Sequence, residues 1–129
     1  MAFVHLHNHT EYSLLDGATK VYDMVKRAAD LGMPAVAITD HGVMSGVPEL
    51  ADACDKVKAE TGTWVKPIFG CEIYFTTDSS LKKEGKQKLH HMILLAKNNT
   101  GYHNIVKLVS ESHVDNFYYR PRTTFEMLE

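Results

Sequence analysis

The sequence predicts an α/β fold built on a parallel sheet or barrel. Short apolar runs alternate along the chain with stretches whose apolar residues recur at helical spacing. Past the opening segment the clearest run, Ala35 to Thr39, is continuously apolar up to its last residue, as in a strand buried on both faces. At 129 residues, 44% of them hydrophobic, the chain has the length of one domain and enough apolar surface for a real core, with no internal repeat or linker.

The opening run Phe3-Val4-His5-Leu6-His7-Asn8-His9 reads as a strand. Alternation then puts His5, His7 and His9 on one side and turns Val4 and Leu6 into apolar packing. An expression tag would be an unbroken histidine run, so the spacing is a feature of the protein. Thr19 or a neighbour caps a helix carrying Val21, Met24, Val25, Ala28 and Leu31, closed by Gly32. Pro34 restarts the chain into Ala35-Val36-Ala37-Ile38-Thr39, a buried parallel strand. A second amphipathic helix follows with Val47, Leu50, Ala51, Cys54 and Val57 on one face. Residues 65–69 and 72–75 read as two further strands, and the polar, lysine-rich stretch 76–88 as a solvated loop. Residues 91–96 form another apolar strand, and Thr100 starts a helix through Ile105, Val106, Leu108 and Val109. Thr123-Thr124-Phe125-Glu126 matches a capping box, the usual start of a helix, yet three residues remain after it. These strands are also too few to close a barrel, so the chain is expected to be cut before closure.

A net charge of −2 argues against a general polyanion binder, since a grip on phosphate backbones normally shows as a basic excess. A nucleic-acid substrate would have to be held largely by something else. Cys54 and Cys71 make no disulfide framework, and neither a signal peptide nor a long apolar run is visible. A cytoplasmic, reducing location is the expectation.

In β/α architectures functional groups collect at the carboxyl ends of strands. His7 and His9 end the first strand, and His41 ends the second within Thr39-Asp40-His41-Gly42, where Gly42 permits a sharp turn. Asp16 lies on the loop leaving the first strand, and Glu72 follows the third apolar run in Gly70-Cys71-Glu72. His91 opens the next strand, and pattern alone does not say at which end of the sheet it falls. Each has a plainer reading: His41 as a turn residue, Asp16-Gly17 as a turn pair, Glu72 as an exposed strand residue, His91 as a core or surface histidine. Jointly they offer neutral nitrogens and anionic oxygens from five segments, a donor set suited to zinc, manganese or iron and able to hold two or more ions. Clustered ions favour phosphoester hydrolysis, one acidifying a bound water and the pair offsetting charge on attacking and leaving oxygens. No protein side chain is singled out as the catalytic group. His5 lies deeper along the strand and is the doubtful member of its trio. His103 and His113 read as solvated surface residues, and Cys71 as a packed thiol.

The motifs His7-Asn8-His9, Ser13-Leu14-Leu15-Asp16-Gly17, Ile38-Thr39-Asp40-His41-Gly42 and Gly70-Cys71-Glu72 resemble those of the PHP (polymerase and histidinol phosphatase) family. Residues 31–42, residues 91–102 and Phe117-Tyr118-Tyr119-Arg120-Pro121-Arg122 bring the likeness closer to one branch, the N-terminal PHP domain of the bacterial DNA polymerase III alpha subunit. It runs essentially the whole length. The resemblance implies a distorted β/α barrel, incomplete in this chain, with residues 1–129 as the N-terminal part of the domain. It implies a divalent metal cluster (zinc, manganese or iron, magnesium also admissible) held by His7, His9, Asp16, His41, Glu72 and His91, which demotes His5. Further family ligands, among them an Asp-x-His pair, would fall beyond Glu129, as would the polymerase catalytic domains. The chain alone is then expected to be inactive as a polymerase and to have an incomplete metal site.

The function so implied is a metal-dependent phosphoesterase, trimming DNA 3′ ends within the replicase and meeting DNA and other replicase subunits through the full-length polymerase. A metal-stabilised docking module of the replicase and a stand-alone phosphatase of the histidinol phosphate type are the competing expectations. The replicase-type stretches weigh against the latter. No membrane contact is expected. Strand edges left by an unfinished barrel would favour self-association.

Overall fold

The computed structural model describes residues 3–77 and 88–129. Most of the expected lysine-rich loop, like the first two residues, lies outside the described residues. Helices and strands alternate through α1 (Val21–Asp30), β1 (Ala35–Ile38), α2 (Val47–Thr61), β2 (Lys66–Phe75), β3 (His90–Leu95), α3 (Asn99–Val114), β4 (Phe117–Tyr118) and β5 (Arg120–Thr123). The α/β class is as expected, but the sheet is mixed. β2 pairs parallel with β1 and β5, whereas β3 runs antiparallel to β2 and β4 antiparallel to β5.

Residues 66–75 make one strand where two were expected. Its first half lies in register with β1, from Ala35 opposite Lys66 to Ile38 opposite Phe69. Its second half pairs with β3, from Gly70 opposite Leu95 to Phe75 opposite His90. Gly70, at the junction, is the position where a Cβ would stand 2.4 Å from the Leu94 carbonyl oxygen. The missing side chain lets β3 come alongside without breaking the strand.

Two apolar clusters hold the layers together. Val21, Val25 and Ala28 of α1 meet Leu50, Cys54 and Val57 of α2 over Val36 and Ile38 of β1. Ile105 and Leu108 of α3 pack on Cys71 and Ile73 of β2. The alternation of β2 therefore turns Glu72 and Tyr74 away from α3.

The opening segment departs from expectation. Phe3 to Thr10 is extended beside β1 but forms no regular ladder. Ala37 N–H donates to the His5 carbonyl at 3.1 Å, and Thr39 N–H to the Asn8 carbonyl at 3.0 Å. The acceptors are three residues apart while the donors are two apart, so the first segment carries one extra residue. The Asn8 side chain fills in, donating to the carbonyls of His5 (3.2 Å) and Ala37 (3.0 Å). The extra residue breaks the strict alternation, so His5 does not follow His7 and His9; it borders a hollow beside α1 with Met24 and Arg27. Leu6, expected in apolar packing, is 47% exposed.

The capping box at Thr123 starts no α-helix. Thr123 ends β5, its carbonyl accepting from Thr76 N–H at 2.9 Å, and Glu126–Leu128 makes only a 3₁₀ turn. Among the described residues no helix is long and apolar enough to cross a membrane.

Candidate metal centre

The six candidate ligands converge from five segments. His7 and His9 come from the opening segment, Asp16 from the turn after it, and His41 from just beyond β1. Glu72 projects from the middle of β2. β1 continues irregularly past its end: Gly42 N–H donates to the Glu72 carbonyl (2.8 Å) and Glu72 N–H to the Asp40 carbonyl (3.0 Å), which sets His41 beside Glu72. His91 stands opposite Tyr74 in the β2–β3 register, one diagonal step from Glu72 on the same face.

Glu72 is the centre of the arrangement. It is 2% exposed, and four imidazoles surround it. Oε2 lies 2.7 Å from Nε2 of His7 and 2.7 Å from Nε2 of His9. Oε1 is in contact with Nδ1 of His91 and lies 3.6 Å from Nδ1 of His41. Asp16 closes the other side, its Oδ2 2.6 Å from His41 Nε2 and 3.1 Å from His9 Nδ1. The atoms fall into three trios, His7–His9–Glu72, His9–Asp16–His41 and His41–Glu72–His91, each spanning no more than 4.8 Å. Any two trios share one residue.

Burial alone would raise the Glu72 carboxyl, but the hydrogen bond from His7 and the neighbouring charges of His41 and His91 hold it below the usual carboxylate value. Hydrogen bonds from His41 and His9 likewise lower Asp16. Both groups are thus held in the anionic, ligand-competent form.

Two observations bear on whether these donors suit cations. Nε2 of His7 and Nε2 of His9 are 2.9 Å apart while both face the same Glu72 oxygen. With neutral rings, protons cannot satisfy all three contacts: one proton between the nitrogens leaves a lone pair aimed at a carboxylate lone pair. His41 Nδ1 is also buried without a hydrogen-bond partner among the described residues. Shared cations would relieve both conflicts, and imidazole with carboxylate is the chemistry such ions take. The set fits a divalent metal site.

A cleft of about 820 Å³ opens beside the cluster, bordered by Asp16, His41, His91, Tyr74, Tyr119 and Arg120. The Tyr74 ring stacks on His41 with centroids 6.1 Å apart, and the Arg120 guanidinium stands 5.4 Å over the same ring. Leu15 (φ 68°) and Tyr119 (φ 59°) on the rim adopt the left-handed backbone that non-glycine residues rarely occupy.

Several contributors were not singled out in the sequence. Tyr74 gave no signal beyond an aromatic residue in a strand. Asp40 is buried, 1% exposed, and faces Thr10 and Ser13 instead of the cluster. A carboxylate following five apolar or hydroxyl residues, with hydroxyls one segment earlier, was the available clue. His113 is exposed as expected, but its Nε2 lies 2.7 Å from the Gly42 carbonyl oxygen, bracing the turn after His41. His103 is exposed as expected, its ring 5.4 Å from that of Tyr102 between centroids.

The family model for the PHP domain matches residues 5–129. The chain is similar to the DNA polymerase III subunit alpha of Treponema pallidum, 40% identical over 131 residues that make up 99% of this chain and 11% of that protein. The same subunit from Aquifex aeolicus is 42% identical over 135 residues, 98% of this chain and 11% of the relative. That from Helicobacter pylori is 43% identical over 128 residues, 99% and 10% respectively. The chain thus spans about a tenth of the length of these relatives. Among solved structures, a protein from Bifidobacterium adolescentis designated a metal-dependent phosphoesterase superposes with a TM-score of 0.57 at 24% identity, over 87% of this chain and 34% of that one. An amidohydrolase from Chromobacterium violaceum gives 0.52 at 19% identity, over 84% and 33%. At those identities the two likenesses speak for the fold.

Proposed function

Because this chain belongs to the PHP domain family and is homologous to the N-terminal region of DNA polymerase III alpha subunits, we propose that its histidine–carboxylate cluster binds divalent metal and serves phosphoester hydrolysis. The observation that carries this reading is the convergence of four imidazoles on one buried carboxylate, with Asp16 completing a closed set of three donor trios. In this reading His7, His9, Asp16, His41, Glu72 and His91 are the ligands. Bound divalent ions would supply an acidified water and positive charge where phosphoryl oxygens develop negative charge.

The chain's own residues do the rest. Glu72 and Asp16 stay anionic and set the spacing of the imidazoles. Tyr74 backs His41 and, through its ring face, orients Arg120 toward the cleft. Among the described residues bordering the cleft, Arg120 is the cation available to a phosphate diester or monoester entering there. The finer proposal is a nuclease acting on DNA 3′ ends in the setting of a replicative polymerase, with DNA and other replicase subunits as partners and zinc, manganese or iron as the ions. The polymerase relatives support that setting.

Metal content by mass spectrometry, together with hydrolysis of a 3′-labelled single-stranded oligonucleotide and of a phosphomonoester by a full-length polymerase carrying this chain, tests it in the wild type, His9→Ala and Glu72→Gln. Bound metal, and oligonucleotide cleavage reduced about a hundredfold or more in both variants, is the expected result. Preference for the monoester would favour the small-molecule phosphatase. Bound metal with no hydrolysis in the chain or in the polymerase that carries it would favour a docking module. A metal-free protein with unchanged cleavage would defeat the proposal.

A further inference from the structure

We infer that Asp40, which contributes nothing to the ligand cluster itself, is the positioning residue that holds the ligand-bearing segments in one frame. Its carboxylate is 1% exposed and accepts three hydrogen bonds: from Thr10 N–H (2.6 Å) and Ser13 Oγ (2.6 Å) on Oδ1, and from Thr10 Oγ1 (2.8 Å) on Oδ2. Each partner leads directly to a ligand. Thr10 follows His9. Ser13 accepts Asp16 N–H on its carbonyl at 3.0 Å and His41 N–H on its hydroxyl at 3.1 Å. The carbonyl of Asp40 takes the N–H of Glu72 at 3.0 Å. One residue therefore ties together the backbones carrying His9, Asp16, His41 and Glu72, four of the six proposed ligands.

A buried carboxylate is costly to desolvate, and here three donors, one of them a backbone N–H, offset that cost. Hydrophobic contact around the turn does not supply the same constraint, because Leu14 is 84% exposed and Leu15 fully so. What fixes the turn is this polar knot. Its loss would leave each ligand chemically intact but free to drift, and small displacements of ligands lower metal affinity steeply.

This inference rests on the metal reading above, and Co²⁺ titration of the whole chain, followed by its d–d absorption, separates the two. The variants are Asp40→Asn, Asp40→Ala, Ser13→Ala and Thr10→Val, with Val57→Ala in the helical core as a stability control. Co²⁺ affinity is expected to fall about 10–100-fold in Asp40→Ala and Ser13→Ala, with a changed d–d spectrum. Asp40→Asn, which keeps an acceptor at Oδ1, should recover part of the loss, and Val57→Ala should keep the wild-type spectrum. Where Asp40→Ala does not fold, Ser13→Ala and Thr10→Val carry the test, since each removes only hydroxyl contacts. Wild-type affinity and spectrum in Ser13→Ala, Thr10→Val and Asp40→Asn together would overturn the role of Asp40 while leaving the metal reading intact. Failure of the wild type to bind Co²⁺ would overturn both.

Discussion

At Gly17 a Cβ would stand 2.0 Å from the Thr10 carbonyl oxygen, inside a loop closed by Glu11 N–H donating to Thr19 at 3.0 Å. Gly17→Ala has to push backbone against backbone next to Asp16, and should cost about 1–3 kcal/mol by urea denaturation. The two thiols make a second prediction. Burial pushes Cys54 up to about 11 and Cys71 to about 12, so neither is appreciably thiolate at neutral pH. Native protein at pH 8 should resist iodoacetamide at both, with rapid labelling only after denaturation. Because these values exceed those of unfolded thiols, their contribution to stability is complete below pH ~8.5 and is lost as pH climbs toward the folded values, so the urea midpoint should fall across that alkaline range. Of the candidate ligands, His7, His9, His41 and Glu72 were legible as imidazoles and a carboxylate bordering apolar runs, Asp16 as a loop carboxylate, and His91 only through the family likeness. Asp40 and Tyr74 were not, since their roles depend on which segments come to lie beside them.

The helices differ in how they begin, and the difference is testable. Asn98 caps α3, its Oδ1 accepting from Gly101 N–H at 2.9 Å, whereas Lys20 sits at the start of α1 with extended backbone and no side-chain cap bond. Asn98→Ala should destabilise by about 1 kcal/mol, and Lys20→Asp should stabilise by about 0.5–1 kcal/mol, both read from thermal or urea unfolding. Amphipathic spacing made α1, α2 and α3 readable, and continuous apolar runs did so for β1. The antiparallel placement of β3 and the union of residues 66–75 into one strand were not readable. Pairing partners are set by tertiary contact, and the tight approach at Gly70 shows only once β3 is in place. The short β4 and β5 have too few residues to carry a period.

At the scale of the molecule, two apolar clusters flank a polar centre whose donors are crowded around one carboxylate. Leu50, 0% exposed in the larger cluster, should cost about 2–5 kcal/mol on truncation to Ala, a loss independent of metal. The centre itself should respond to cations: divalent ion at a hundred times its dissociation constant is expected to add about 2.7 kcal/mol, seen as a rise in Tm that a chelator reverses. A Tm indifferent to both would leave the crowding unexplained. The mixed α/β class was legible as a whole because it rests on many weak signals that agree, and the family likeness narrowed it to one architecture.

The extra residue carried by the opening segment between its two bonds to β1 has a consequence for what heredity can change there. Leu6 is nearly half exposed, so its identity is free to drift. The count of residues is not. One residue gained or lost between the His5 and Asn8 carbonyls would be expected to turn His7 away from Glu72. Along this short stretch, the number of residues constrains the site more than the identity of Leu6 does.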